Sequence, residues 1–234
     1  MPAIEVERKF SSPGGLAGLR RAVEAAGGAA AGTAAFRDTY WDCKRTARLA
    51  AQDAWLRLRA PRERPAVWEL KAPPAASSSS ASVPPDDRRS GGERGVFEET
   101  AGVAAVARAL AARGMVHVLL PEDVGDCPAA FEAELRKEGL EPFAAFDTER
   151  AKFTLADGVA VDADFASFGH CVVELEKMVA EEGEVEAADA LLRATGERLG
   201  LEALGATGGK LETYLRRHVP SHVEMLVAAG ILDP

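Results

Sequence analysis

The first residues of this sequence whose types and spacing could do chemistry are two acids and a base, Glu5, Glu7 and Lys9. If residues 4–10 are extended, side chains two apart share a face, so these three line one side of a strand and mostly apolar residues line the other. The charges on the polar side are closely spaced and partly cancel one another. A solvated edge strand with a chance charge pattern would look the same, so this stretch alone decides nothing.

The same alternation returns later in the chain. In residues 53–59, Arg57 and Arg59 share a face with Trp55, and two neighbouring arginines in a closed cavity would need an anionic guest. In residues 66–71, Glu69 and Lys71 share a face. Further charges on such faces are Glu99, Arg150, Asp162, Glu174 and Glu176, and Lys210 stands at the start of a predicted helix over 211–217.

These faces would gather as many bases as acids into one place. Buried charges are tolerated only when they are paired, hydrogen-bonded or bound to a metal. The set therefore suits a strongly anionic ligand that arrives with a divalent cation. Because the candidate acids offer oxygen ligands, the expected ion is Mg²⁺, with Mn²⁺ as the alternative. The bases are Lys9, Arg57, Arg59, Lys71, Arg150 and Lys210, and the acids are Glu5, Glu7, Glu99, Asp162, Glu174 and Glu176.

About eight strands must position these side chains, most of them charged on one face and aliphatic on the other. This pattern predicts an α+β fold, a closed antiparallel eight-stranded β-barrel with a polar interior and helices packed outside. Phe36 and Trp41 are predicted to pack in the core, and Trp68 to lie on the barrel exterior under a helix. Helices are predicted at 16–26, 103–113, 128–138, 185–199, 211–217 and 220–229.

Residues 73–95 are rich in Ser, Pro and Gly and contain no large apolar side chain. Such a segment cannot bury enough surface to offset its ordering entropy. Since a strand pattern resumes at once, we interpret it as a disordered loop insertion and not as a domain linker. The sequence thus predicts a single domain over residues 1–234.

The composition excludes several classes of protein. A formal net charge of -9 argues against a nucleic-acid binder or a docking site for anionic membranes. The chain has no apolar run long enough to span a bilayer and no room for a secretory signal before Glu5. Its three cysteines lack metal-like spacing and suggest free thiols. We expect a cytoplasmic protein, a monomer, that acts on a small molecule without nucleic-acid or membrane partners.

The opening segment 4–10 resembles the ExExK signature of the CYTH superfamily, the triphosphate tunnel metalloenzymes. The resemblance continues in order through the arginine pair, Lys71, Glu99, Arg150, Asp162, the acids Glu174 and Glu176, and Lys210. It spans almost the whole chain apart from the Ser/Pro-rich loop. It implies a triphosphate substrate and hydrolysis of its terminal phosphate.

The resemblance also implies roles for the charged residues. Lys71 and Glu174 are expected to be catalytic, and Glu174 also to contact the substrate. Lys152 and Asp164 lie on the right faces but outside the matching series, so they are interpreted as neighbouring charges. The expected ligands of the triphosphate are Lys9, Arg57, Arg59, Lys71, Arg150 and Lys210, and those of the metal are Glu5, Glu7, Asp162 and Glu176.

Within the superfamily, residues 36–42, 54–59 and 210–215 look most like the thiamine triphosphatases. In that subfamily a tryptophan just ahead of the arginine pair is associated with stacking on the thiamine rings, and Trp55 has the matching place. Phe97 departs from the family, which often has an aromatic hydroxyl there. The alternatives are an inorganic triphosphatase acting on tripolyphosphate, an adenylyl cyclase, or a polyphosphate-binding module without hydrolysis.

Overall fold

Eight antiparallel strands close into a barrel because the first strand pairs with the fifth on one side and the eighth on the other. This computed structural model describes residues 4–74, 94–116, 127–204 and 208–234. A ninth, two-residue strand adds to the end of the first. The strands are β1 (Ile4–Ser11), β2 (Ala29–Asp42), β3 (Trp55–Pro61), β4 (Val67–Ala72), β5 (Arg94–Ala101), β6 (Glu141–Thr154), β7 (Ala160–Ala166), β8 (His170–Val179) and β9 (Glu202–Ala203).

Helices cover the aliphatic outer face of the barrel. The helices are α1 (Gly15–Ala25), α2 (Val103–Ala112), α3 (Pro128–Lys137), α4 (Val185–Arg198), α5 (Lys210–His218) and α6 (Pro220–Ala228). Helices α1 and α4 share one core with the outward residues of β1, β6, β7 and β8, while α2 and α3 share another with β3 and β4. Helices α5 and α6 pack with β2 and β6 in a third core.

The predicted phase of the strands is confirmed by burial. Val6, Val161 and Leu175 on the outward face are fully buried beneath the helices, whereas the charged side chains between them point into the barrel. Trp68 lies outside, as predicted, with its ring against Trp41 and Phe131. The α+β prediction of an eight-stranded barrel is therefore correct.

Phe36 differs from its prediction. It lies inside the barrel, where the guanidinium of Arg59 stands 4.1 Å from its ring centroid and that of Arg150 stands 5.4 Å away. The residue shares its face with Asp38, two positions along β2, so its ring lies among charged side chains of the barrel interior. The interaction is a cation–π contact and not the core packing that an aromatic strand suggested.

The predicted loop insertion at 73–95 falls mostly on residues 75–93, which lie outside the described ranges. Arg94 and Gly95, its last two residues, belong to β5. The short strand β9 was not predicted, because a strand of two residues is too short to show an alternation of apolar and polar side chains. No helix in the described ranges is both long enough and apolar enough to cross a membrane.

Candidate active site

A cavity of about 310 Å³ occupies the barrel interior, and all the predicted site residues line it. Inward positions of every barrel strand contribute to its wall, because alternate residues along each strand face the axis. Helix α5 adds the wall near one end. The predicted site residues in this cavity are Glu5, Glu7, Lys9, Trp55, Arg57, Arg59, Lys71, Arg150, Asp162, Glu174, Glu176 and Lys210.

Three carboxylates form an acid cluster near β1. One oxygen from each of Glu5, Glu7 and Glu176 lies within 4.8 Å of the others. Glu7 and Glu176 are directly opposite each other across the β1–β8 pair, which explains their approach. Burial and neighbouring acids raise the pKa of Glu5 to about 7 and that of Glu176 to about 8. Carboxylate oxygens this close together repel one another, and a bound divalent cation would neutralise that repulsion. These three residues therefore fit the expected Mg²⁺ or Mn²⁺.

Asp162, the fourth predicted metal ligand, lies apart from that cluster. Its Oδ2 accepts a hydrogen bond of 2.5 Å from Arg150, and its Oδ1 is buried without a hydrogen-bond donor from the described chain. Burial raises the pKa of Asp162 despite Arg150. The structure thus brings Glu5, Glu7 and Glu176 together, whereas Asp162 pairs with Arg150. A role for Asp162 as a metal ligand stays a prediction.

Lys71 bridges the first two acids. Its Nζ lies 2.7 Å from Glu5 and 2.6 Å from Glu7, while Lys9 contacts the other oxygen of Glu7 at 2.5 Å. Burial alone would raise the pKa of Glu7, but Lys71 and Lys9 outweigh it and hold that pKa at about 2. Burial would likewise lower the pKa of Lys71, yet Glu7 and Glu5 raise it well above its usual value. In this arrangement Lys71 is an ammonium, which can bind a phosphate oxygen but cannot take a proton from water.

The arginine pair is already matched with carboxylates. Arg57 donates to Glu69 at 2.8 Å and to Glu99 at 3.4 Å, and Arg59 makes a two-pronged contact with Asp38 at 2.8 and 2.7 Å. The expectation that two enclosed arginines need an anionic guest is therefore wrong for this barrel. A triphosphate would have to draw these guanidiniums away from internal partners.

A second charged cluster surrounds Arg150. This guanidinium donates to Asp162, to both oxygens of Asp164 at 2.6 Å, and to Glu174 at 2.8 Å. Lys210 contacts Asp164 and also Glu174, the latter at 2.9 Å. Burial would raise the pKa of Glu174, but Lys210 and Arg150 hold it well below its usual range. Glu174 is thus an ionised carboxylate that orients two cations.

One end of the cavity is apolar. Trp55 and Tyr40 meet Leu211, Leu215 and Leu232 there, and the leucines come from α5 and the C-terminal segment. The Nε1 of Trp55 donates to Asp53 at 2.9 Å, which fixes the plane of the indole. The segment between β2 and β3, which leads to Trp55, is held by Asp42, whose carboxylate accepts hydrogen bonds from three backbone N–H groups. An organic group attached to a phosphate chain would find apolar surface at this end.

Comparison with known proteins agrees with this geometry. The model of the CYTH domain family matches residues 3–206. The chain belongs to the CYTH family. Thiamine-triphosphatases of Homo sapiens and Macaca fascicularis are 32% and 31% identical to it, each over 96% of this chain and 89% of the relative.

Solved structures share the CYTH fold at lower identity. A protein of Pyrococcus horikoshii OT3 is 19% identical with a TM-score of 0.58, and the match covers 92% of this chain and 99% of that one. A Hippeastrum protein, described as having a dominant triphosphatase activity, is 17% identical with a TM-score of 0.54, over 92% and 96% of the two chains. At these identities the likeness supports the fold alone.

Sequence reasoning missed Asp38 and interpreted Asp164 only as a neighbouring charge, although both acids pair with arginines that line the cavity of this CYTH protein. Asp38 and Asp164 are completely buried, and each holds an arginine through two hydrogen bonds. The signal was available in the strand register, because Asp38 is opposite Arg59 and Asp164 is opposite Arg150. Reading it required knowing which strands are neighbours. The described histidines, at 170, 218 and 222, do not line the cavity.

Proposed function

We propose that this CYTH protein hydrolyses thiamine triphosphate to thiamine diphosphate and phosphate with the help of a divalent cation. The observation that carries the proposal is that one cavity combines an acid cluster, a set of bases and an apolar end with an indole. A phosphate chain, its cation and an organic ring each find matching chemistry there. The relatives named thiamine-triphosphatase support the same substrate.

The divalent cation would be held by Glu5, Glu7 and Glu176, with Asp162 as a further candidate ligand. Mg²⁺ is the ion that carboxylates and phosphates commonly share, and Mn²⁺ can replace it. When bound, such an ion neutralises charge on the phosphates. Both oxygens of Glu7 are already occupied by lysines. A cation that binds Glu7 therefore competes with Lys9 or Lys71 and makes one of them available to the substrate.

The bases bind the phosphate oxygens in this proposal. An arginine can donate two parallel hydrogen bonds to a pair of phosphate oxygens, whereas a lysine supplies a compact positive charge beside a single oxygen. The bases concerned are Lys9, Arg57, Arg59, Lys71, Arg150 and Lys210. Lys71 and Glu174 are the catalytic candidates: Lys71 as an ammonium that stabilises the charge developing on phosphate, and Glu174 as the carboxylate that aligns Arg150 and Lys210.

Parallel kinetics with thiamine triphosphate, tripolyphosphate and ATP, each with Mg²⁺ and with Mn²⁺, test the proposal. We expect the highest kcat/KM with thiamine triphosphate and loss of turnover when the cation is chelated. A preference for tripolyphosphate would establish the inorganic triphosphatase instead. Release of pyrophosphate from ATP would indicate a cyclase, and binding without turnover would indicate a binding module.

We further propose that the protein is a cytoplasmic monomer and that residues 1–234 form one domain. The third core supports this boundary, because α5 and α6 pack directly on β2 and β6 of the barrel. Light scattering coupled to gel filtration tests the oligomeric state, limited proteolysis tests the domain boundary, and fractionation of the source cells tests the location. A dimer, or a stable fragment lacking the last two helices, would contradict them.

A further inference from the structure

Glu212, on the first turn of α5, puts a carboxylate at the apolar end of the cavity. It lines the same cavity as Trp55, Leu211 and Leu232. Its side chain is 10% exposed. Its Oε1 accepts a hydrogen bond of 2.9 Å from the Nε of Arg216, one turn along the helix, and lies 2.8 Å from the Nη2 of the same guanidinium. Its Oε2 is buried and accepts no hydrogen bond from the part of the chain that the structure describes.

The backbone leaves room for this carboxylate. A Cβ atom on Gly208 would clash with Oε2 and Cδ of Glu212, and Gly208 also has φ +62°, which disfavours other residues. On the far side, Arg216 donates to the carbonyl of Asp233, so its guanidinium is held between the carboxylate and the C-terminal segment. The position of Glu212 is therefore determined by its neighbours and is not that of a freely rotating surface acid.

Such a carboxylate has no evident benefit for binding phosphate. A buried oxygen without a donor is costly, and an additional negative charge in a cavity that receives an anion repels that anion. Arg216 offsets part of the charge but leaves one oxygen unsatisfied. The arrangement becomes favourable when the ligand brings a positive charge to the apolar end.

We propose that Glu212 is a specificity-determining residue that selects triphosphates whose organic part is cationic. The inference rests on the proposed function, since thiamine carries a positive thiazolium ring and an amino group, whereas tripolyphosphate has no organic part and the adenine of ATP is neutral. Trp55 offers the face of a ring to the cation, and Glu212 offers the opposite charge.

The variant Glu212→Gln tests this inference, because it keeps the shape of the side chain and removes its charge. We expect kcat/KM for thiamine triphosphate to fall about fivefold to tenfold, mainly through KM, while the values for tripolyphosphate and ATP stay level or rise slightly. Glu224→Gln is the matched control. It removes the same charge from an exposed position on α6 and should leave kcat/KM unchanged for all three substrates.

A merely structural role for Glu212 predicts a different result. If the residue only stabilises the start of α5, Glu212→Gln would lower kcat/KM for all three substrates alike or lower Tm, and this would overturn the inference. A second variant, Glu212→Asp, keeps the charge and should retain most of the preference for thiamine triphosphate over ATP. If the wild type prefers thiamine triphosphate and Glu212→Gln keeps that preference, the role of Glu212 is refuted while the proposed function stands. A wild type without that preference would refute the proposed function itself.

Discussion

At the scale of single residues, the proposed binding of a cation by the acid cluster should depend on pH. Glu5 and Glu176 have pKa values raised to about 7 and about 8, chiefly by burial, so both lose protons as the pH rises through this range. A cation must displace those protons at low pH. We expect the affinity for Mn²⁺ to rise at least about tenfold between pH 6 and pH 8 and to level off above, as measured by calorimetry.

The control for this prediction is Glu176→Gln, which has one proton fewer to lose. Its Mn²⁺ affinity should be lower, and the dependence on pH should be shallower. If wild-type affinity were flat between pH 6 and pH 8, the cluster would not be the cation site.

Substitution of Trp55 should affect the organic and the inorganic substrate differently. In the proposed binding mode the bases meet the same phosphate chain in both substrates, so discrimination would come from a group at the apolar end, which Trp55 lines. Stacking on a cationic ring is worth on the order of 1–2 kcal/mol, or about tenfold in kcat/KM. Trp55→Ala should lower kcat/KM for thiamine triphosphate by about that factor and leave kcat/KM for tripolyphosphate nearly unchanged. Trp55→Phe, which keeps an aromatic face, should lose less; equal losses on both substrates would make Trp55 a wall residue.

At the scale of elements, an ion pair fixes α4 on the outside of the barrel. Arg8 of β1 points outward, away from the cavity, and donates to both oxygens of the buried Asp189 at 2.6 and 3.2 Å. Removing one partner of a buried pair leaves an uncompensated charge. Asp189→Ala should therefore lower the free energy of unfolding by about 3–5 kcal/mol in urea titrations while kcat stays near that of the wild type.

Arg193→Gln is the control for the α4 anchor. Arg193 contacts the same carboxylate, but its side chain is 56% exposed, so its loss should cost less than about 1 kcal/mol. An Asp189→Ala protein as stable as the wild type would mean that apolar packing alone positions α4.

Helix α6 contains a histidine that makes its packing sensitive to acid. His222 is buried and stacked on Phe143 at 4.2 Å, and burial lowers its pKa from 6.5 to about 4. Between these values the unfolded chain binds a proton that the folded chain does not. The contribution of His222 to stability is therefore complete above pH 6.5 and is lost as the pH falls towards 4, by about 3 kcal/mol at most.

The variant His222→Phe isolates that contribution, because it removes the titrating group and keeps an aromatic ring. Other groups also titrate, so the quantity to compare is the loss of unfolding free energy between pH 7 and pH 4.5. We expect this loss to be smaller in the variant than in the wild type. An equal loss in both proteins would contradict the assignment.

At the scale of the whole molecule, the barrel should not depend on the segment between β4 and β5. Residues 75–93 are low in apolar content, and loop closure costs only about 0.6 kcal/mol per doubling of length. Replacing them with a short Gly-Ser linker should leave Tm and kcat/KM near wild type. A large loss of activity with unchanged Tm would show that this segment contacts the substrate.

The sequence by itself determined which side of the charged strands faces the cavity, with β2 as the exception, where Phe36 was assigned to the core. The two-residue period of an extended chain assigns a face to every side chain without any knowledge of its neighbours. For that reason Glu7, Arg57 and Glu176 could be placed inside the barrel, and Val6 and Trp68 outside it. The charged side chains inside and the aliphatic ones outside also identified the fold class, since only a closed barrel gives both faces a suitable environment.

Only the tertiary structure decided which charges meet. The pairing of Asp38 with Arg59 and of Asp164 with Arg150 depends on strand order and register, which a local period does not contain. The apolar end depends on how α5 and the C-terminal segment pack across the barrel, and this brought Glu212, Leu232 and Trp55 into the wall of one cavity. Such contacts join residues far apart in the chain, and their geometry is a property of the assembled barrel.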